Sequence, residues 1–140
     1  IKLGYNNVYF SNARSMARFG LLLLAKGKWN DTRILADTNY LAAQINSSQT
    51  INPSYGYLTW LNGKSSYMLP TLQFSFNGNL VPNAPADLYA ALGKDDQKIY
   101  VVPSKGLVVI RMGESAGQSQ LALSSFDNEL WGKLKAAGLF

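Results

Sequence analysis

Residues 86–113, ADLYAALGKDDQKIYVVPSKGLVVIRMG, carry the strongest structural pattern in the chain. Three short apolar runs alternate here with two turn-forming segments, GKDDQ and PSKG; the runs are residues 88–92, 99–102 and 107–112. Runs this close in sequence pair as neighbouring antiparallel strands, because the turns between them are too short for a crossover. The stretch therefore predicts a three-stranded antiparallel meander. The last run, LVVIRM, is apolar at nearly every position, which is typical of an interior strand covered on both faces.

Upstream of the meander, residues 11–26 (SNARSMARFGLLLLAK) predict a helix. Ser11 or Asn12 can cap its start, and Gly27 can take the left-handed conformation that often ends a helix. The second half is apolar nearly all round, so we expect this helix to be buried on several sides.

The other predicted elements are shorter. A second helix over residues 37–47 has Asp37 as its cap and Leu41 and Ile45 inward, and Ser124 with Asp127 resembles a capping box that opens a closing helix. The aromatic segment at residues 55–61 predicts a strand or an extended stretch, residues 62–66 a loop, and the alternating pattern at 72–76 a further strand. Two helices, a meander and a closing helix make an α+β fold.

The composition of the chain excludes or disfavours several classes of function. The net charge of +5 comes from scattered basic residues, which disfavours nucleic-acid binding. The chain has no cysteine and no histidine, so a thiolate nucleophile, a Cys/His zinc site and a Ser-His-Asp triad are excluded, and no metal or cofactor is predicted. The longest apolar run, residues 19–25, is far below the roughly 20 residues that span a bilayer. Charged residues make up only 15%, which suggests that part of the exterior is normally covered.

Three blocks of the sequence resemble the β-lactamase-related serine hydrolases, in the branch with family VIII-type esterases and 6-aminohexanoate-dimer-hydrolase-like amidases. SNARSMARFGLLLLAKGKWNDTRIL (residues 11–35) is similar to that branch's STARDMARFGLLML..GKWNG..IL, and YGYLTWLN (55–62) to its YGYLWWLN. The stretch at 86–113 resembles its D.Y.A.G..GQ.IYVVP...LVVVR.G. The blocks follow the family's order. Ser15, Thr59 and Asp96 depart from its usual Asp, Trp and Gly.

In this superfamily, which includes penicillin-binding proteins, the nucleophile is the serine of a Ser-x-x-Lys motif. The sequence contains no such motif; the closest string ends in Arg18 instead of Lys, and an arginine cannot act as a base at neutral pH. Tyr5 has the spacing of the family's Tyr-x-Asn motif, but the family places that tyrosine well upstream of the ARFG helix. The resemblance therefore implies that residues 1–140 are the C-terminal portion of a β-lactamase/transpeptidase-like domain. Its nucleophile-bearing portion would be absent, and Ile1 would follow processing or truncation.

The resemblance also implies a site. The family's third motif, Lys-Thr-Gly in β-lactamases, aligns with the strand that ends at Gly93, and no lysine stands at its first position. That change favours an esterase or amidase over recognition of a penicillin carboxylate. The main-chain N–H of Lys94 is the implied oxyanion donor, and Gly93 would allow close approach of the substrate. The implied substrate-binding residues are Gly93, Leu92, Gln97, Tyr57 and Trp60.

Other interpretations of the same residues stay open. Residues 93–97 also make a good hairpin turn that the amide of Gln97 could cap, and Tyr57 and Trp60 could be core aromatics. The chain could be a non-catalytic penicillin-binding-like module that recognises cell-wall peptide, or an unrelated small α+β domain.

Partners and location follow from the resemblance alone. In the superfamily the last strand neighbours the first strand of the full protein. We therefore expect the LVVIRM strand to expose an edge that binds the N-terminal half or a second copy. Many relatives are exported bacterial proteins, which suggests a periplasmic or cell-surface location.

Overall fold

The computed structural model describes residues 10–116 and 123–140. Within these two stretches the chain forms three α-helices and eight short strands, in the order α1 (Ala13–Leu24), β1 (Lys28–Trp29), β2 (Thr32–Arg33), α2 (Thr38–Gln44), β3 (Trp60–Leu61), β4 (Ser66–Met68), β5 (Ser75–Asn77), β6 (Tyr89–Leu92), β7 (Lys98–Val102), β8 (Leu107–Arg111) and α3 (Ser125–Ala136). This mixture confirms the prediction of an α+β fold. No helix in the described stretches has the length and apolar character needed to cross a membrane.

A four-stranded antiparallel sheet in the order β3-β6-β7-β8 forms the centre of the fold. Its last three strands are the predicted meander, with Tyr89 opposite Val101 and Val102 opposite Leu107. Gly106 takes the left-handed conformation (φ 57°) that closes the second turn of the meander. The local pattern of apolar runs and turns was therefore sufficient to predict this part of the sheet.

The two faces of the sheet carry different helices because successive strand residues point to opposite sides. On one face, α1 packs against β7 and β8. The small core on this side consists of Met16, Leu61, Tyr89, Ile99 and Val101. On the other face, Trp131 of α3 packs edge-on against Tyr100, with 5.6 Å between ring centroids. The larger core on that side consists of Trp60, Leu80, Val81, Ala84, Leu88, Ala90, Tyr100, Val102 and Trp131.

The prediction that α1 is buried on several sides is wrong for the described chain. Met16 and Gly20 are its buried residues, whereas Phe19 and Leu21 are 39% and 44% exposed. A Cβ on Gly20 would lie 2.6 Å from Cγ1 of Val108, so the helix approaches the sheet closely along this one stripe. Leu23 and Leu24 are half-buried and pack against the small core on this face.

The helix ends differ slightly from the sequence-based boundaries. Asn12 caps α1 by accepting a 2.9 Å hydrogen bond from the N–H of Ser15, and Asp37 caps the shorter α2 as predicted. Lys26 (φ 52°) shares the left-handed turn after α1 with Gly27 (φ 82°). At Gly27 a Cβ would lie 2.8 Å from side-chain atoms that follow in the chain, so glycine is required there for packing as well as for conformation.

The prediction of a strand over residues 55–61 is wrong except at its end. The chain makes a tight turn in which Tyr55 forms a bridge with Trp60, and Leu58 adopts a φ of 50°. Gly56 fits this turn because a Cβ there would lie 2.1 Å from the carbonyl oxygen of Gln44. Only Trp60–Leu61 joins the sheet, so β3 has two residues.

Two further predictions need correction. β4 begins inside the predicted 62–66 loop and pairs with β5, which covers only the end of the predicted 72–76 strand. β8 is an edge strand in the described sheet, and all of its residues are half-buried, so it is not an interior strand covered on both faces. This position agrees with the expectation that LVVIRM exposes an edge.

Candidate functional site

A groove of about 690 Å³ lies between α1, the tight turn at residues 55–60 and the end of β6. Five of the six residues predicted to form a site line this groove: Trp60, Leu92, Gly93, Lys94 and Gln97. The other walls are mainly aliphatic or aromatic, and they include Met16, Phe19, Tyr55, Leu58, Ala91 and Ile99. The groove therefore offers an apolar surface next to the main chain of the 93–97 turn.

Tyr57 lies away from this groove. Its ring stacks on that of Tyr40 in α2, with 5.8 Å between centroids, and its side chain is partly exposed. Tyr55 and Leu58 take places at the groove that the sequence did not identify. Both residues belong to the YGYL string, but their positions at the groove follow only from the tight turn that this string forms.

The strand edge beside the groove is open at Leu92. Asn62 N–H donates to Leu88 O at 2.9 Å, whereas Gly93 N–H donates to Gln97 O at 2.8 Å. Because main-chain groups alternate along an antiparallel strand, residues 88, 90 and 92 direct theirs towards β3, and residues 89, 91 and 93 towards β7. The β3 pairing ends at Trp60 opposite Ala90. The N–H and C=O of Leu92 therefore point past the end of β3 into the groove.

The N–H of Lys94 lies on the same edge. Gly93 is extended (φ −104°, ψ 171°), so the strand direction continues to Lys94, two residues beyond Leu92. Within residues 10–116 and 123–140 this N–H meets no hydrogen-bond acceptor, and the Lys94 side chain is exposed. The groove is thus bordered by main-chain groups of Leu92 and Lys94, and the N–H of Lys94 is a donor without a partner in the described chain.

The amide of Gln97 holds the turn in place. Its Nε2 donates to Asp95 O at 3.0 Å and to Gly113 O at 2.5 Å, and its Oε1 accepts from Gly113 N–H at 3.2 Å. The alternative in which Gln97 caps its own turn agrees with these contacts. Its polar atoms are engaged by the protein, so the side chain would meet a ligand through its aliphatic part.

Behind the turn, on the α3 face, lies a cluster of buried charged side chains that the sequence did not predict. The Nζ of Lys98 is 3.1 Å from Asp96 Oδ1 and 3.2 Å from Asp127 Oδ2, and Tyr100 donates to Asp127 at 2.5 Å. Lys98 is 0% exposed and Asp96 is 1% exposed. We refer to Asp96, Lys98, Tyr100 and Asp127 as the buried ion cluster.

The environment of the buried ion cluster shifts two pKa values in opposite directions. Burial alone would raise the pKa of Asp96, but hydrogen bonds from the Ala116 N–H, the Ser124 hydroxyl and the Lys98 ammonium hold it below its ordinary value. Burial raises the pKa of the Tyr100 phenol far above its ordinary value, and the neighbouring carboxylate of Asp127 raises it further. The cluster therefore keeps Asp96 ionised and Tyr100 protonated at neutral pH.

The chemistry available at the groove is binding and hydrogen-bond donation. Apolar walls can hold an acyl or aryl group, and the free N–H can polarise a carbonyl oxygen. Tyr5, which has the spacing of the family's Tyr-x-Asn motif, lies outside the described residues. In the part of the chain that the structure covers, no three His, Cys, Asp or Glu side chains are grouped to hold a metal ion.

Comparisons of the chain with protein-family models, with curated proteins and with solved structures found no match. The resemblance to β-lactamase-related hydrolases therefore rests on the three sequence blocks and stays a prediction.

Proposed function

We propose that this chain supplies the oxyanion donor and the acyl-binding wall of a serine hydrolase that cleaves ester or amide bonds through an acyl-serine intermediate. The nucleophile would lie on a Ser-x-x-Lys segment outside this chain. The observation that carries the proposal is the open strand edge at Leu92 and Lys94, which faces an apolar groove. The three family-like sequence blocks supply the reaction class.

In the proposed reaction, the serine oxygen attacks the substrate carbonyl carbon, and the carbonyl oxygen becomes an oxyanion. The lysine of the Ser-x-x-Lys motif would take the serine proton and pass it to the leaving alcohol or amine. The N–H of Lys94 donates to that oxyanion, so its hydrogen bond is strongest where negative charge develops. Collapse of the tetrahedral intermediate expels the alcohol or amine and leaves the acyl-serine, which water then hydrolyses. One donor of this kind typically contributes about 2.7–4 kcal/mol to the transition state.

The groove favours substrates whose acyl group is apolar and uncharged. Lys94 is the one charged residue among those that line it in the described chain, and its side chain is exposed. A carboxylate on the acyl side would have no buried cation to pair with, and an unpaired buried charge is costly. Esters or amides of aliphatic or aryl acids therefore fit better than penicillin-like anions.

The missing portion would cover the surfaces that this chain leaves open. Leu21 exposes apolar area on α1, and β8 is an edge strand of the sheet that the described residues form. An apolar helix face beside an open strand edge is suited to a partner that adds a strand and packs on the helix. We propose the N-terminal half as that partner; without it, the same surfaces would drive self-association.

Labelling the product of the intact gene with a fluorophosphonate tests the proposal. We expect one modified serine, in a Ser-x-x-Lys motif encoded ahead of Ile1, and hydrolysis of a chromogenic ester. The purified 140-residue chain should turn over neither that ester nor nitrocefin. Turnover by the chain alone, or a reading frame without the motif, would contradict the proposal. Binding of a cell-wall peptide with neither labelling by the fluorophosphonate nor turnover would favour a non-catalytic module that recognises cell-wall peptide.

A further inference from the structure

We infer that Asp96 is a positioning residue: its buried carboxylate holds the 93–97 turn in the conformation that directs the Lys94 N–H into the groove. The role in catalysis rests on the proposed function, but the effect of Asp96 on the conformation of the turn can be tested separately. Asp96 lies two residues after Lys94 and faces the opposite side, towards α3. It would therefore act on the groove through the main chain and not through contact with substrate.

The turn has a backbone that needs support. Asp95 and Asp96 both have positive φ values, 56° and 58°, in a stretch with no glycine between Gly93 and Gln97. L-residues adopt this left-handed region as single residues more readily than as a pair, and aspartate is among the few that tolerate it. Two consecutive left-handed residues persist only where surrounding contacts determine them.

The Asp96 carboxylate supplies such contacts from three separate segments. Its Oδ1 is 3.1 Å from Lys98 Nζ in β7 and accepts from the Ser124 hydroxyl at the start of α3 at 2.8 Å. Its Oδ2 accepts from the Ala116 N–H at 2.9 Å. Charge-assisted hydrogen bonds of this kind are roughly twice as strong as neutral ones. The carboxylate thus ties the turn to the sheet, to α3 and to the segment after β8.

The guanidinium of Arg111 also holds the main chain of the turn. Arg111 of β8 donates from Nη1 to the carbonyl oxygens of Asp95 at 3.0 Å and Asp96 at 3.2 Å, and its guanidinium lies over the ring of Phe126 in α3. Asp95, by contrast, forms no side-chain hydrogen bond or ion pair with the described residues. Neighbouring aspartates of one turn therefore differ: one is anchored and one is not.

This contrast provides a matched pair of variants, Asp96→Asn and Asp95→Asn. Both remove one charge from the same turn, and asparagine tolerates positive φ as well as aspartate does. The readout on the 140-residue chain is hydrogen exchange of the Gly93 amide, whose bond to Gln97 O closes the turn. The amides of Tyr89 and Val101, which pair in the sheet, correct for global stability.

We expect Gly93 protection, corrected in this way, to fall about tenfold in Asp96→Asn and to stay unchanged in Asp95→Asn, since hydrogen bonds to a charged group contribute about that factor. Equal protection in the two variants would overturn the inference.

In the intact gene product, with active sites counted by fluorophosphonate titration, Asp96→Asn should lower kcat and leave KM nearly unchanged, whereas Asp95→Asn should change neither. A loss of binding instead, seen as a raised KM at constant kcat, would contradict a positioning role. The hydrolase proposal is judged separately, by removal of the Lys94 N–H. Two results together would separate the proposals: weaker Gly93 protection in Asp96→Asn, and an unchanged kcat when the Lys94 N–H is removed. Asp96 would then still hold the turn, but the Lys94 N–H would not be the oxyanion donor.

Discussion

The two faces of the central sheet are built from the same strands but differ in how completely a helix covers them. On the α3 face, Trp131 is completely buried and packs against Tyr100, which belongs to the buried ion cluster. On the α1 face, the helix makes one close stripe of contact, and Phe19 remains exposed beside a groove. In the described residues, the larger apolar core lies on the α3 face, and the smaller core on the α1 face agrees with the proposal that this face binds a ligand or partner.

The largest effect is expected from breaking the buried ion cluster on the α3 face. Lys98→Met would leave Asp96 and Asp127 facing each other without their shared cation, and removing one partner from a buried ion pair costs about 3–5 kcal/mol. Urea denaturation measures this loss. Lys133→Met removes the cation of the exposed Lys133–Glu129 pair on α3 and is the matched control, for which we expect no measurable change. Equal effects in the two variants would mean that the cluster is open to water.

A smaller effect on stability is expected from alanine substitutions at one glycine in each of α1 and α3. A Cβ at Gly20 in α1 would lie 2.6 Å from Val108 Cγ1, whereas a Cβ at Gly132 in α3 would lie 3.1 Å from Nδ2 of the exposed Asn83, which donates to Asn128 O. Overpacking costs about 1–3 kcal/mol, and alanine regains up to about 1 kcal/mol of helix propensity. We therefore expect Gly20→Ala to lower the midpoint of thermal unfolding and Gly132→Ala to leave it unchanged or raise it. The reverse order would contradict the close packing of α1.

The smallest effect is the pH dependence of the buried ion cluster. The folded-state pKa of Asp96 lies below the ordinary value of 3.8, so its ionised carboxylate contributes stability that is present above about pH 4 and is lost as the pH falls through the folded-state pKa. The difference in unfolding free energy between the wild type and Asp96→Asn should therefore narrow on acidification below pH 4. A difference that stays constant down to pH 2, in urea titrations at each pH, would show that the charge of Asp96 contributes nothing.

The sequence predicted the meander well because its determinants are local: apolar runs alternate with turn-forming residues, and no distant contact is needed. It failed at residues 55–61, where the tight turn depends on Gly56 lying against the carbonyl of Gln44, a contact between distant segments. The resemblance identified five residues of the groove, but the shape of the groove could not be predicted, because it depends on β3 stopping after two residues.

The sequence pattern also did not predict that Asp96 and Lys98 are buried. Asp96 lies in a turn, and Lys98 begins a strand, where charged side chains are usually exposed. One signal was available: Lys98 is in phase with Tyr100 and Val102, so the strand alternation already placed it on the inward face with them. Its two carboxylate partners come from the turn and from α3, and only the folded chain brings them together.

Removing a single main-chain donor tests the account most directly. Lys94→Pro deletes the N–H, and Gly93 already has the extended conformation that a residue before proline favours. Lys94→Ala removes the side chain and keeps the donor. In the intact gene product, we expect kcat for a chromogenic ester to fall about 10²–10³-fold in Lys94→Pro and to stay unchanged in Lys94→Ala. Equal kcat values in the two variants would contradict the assignment of the Lys94 N–H as the oxyanion donor.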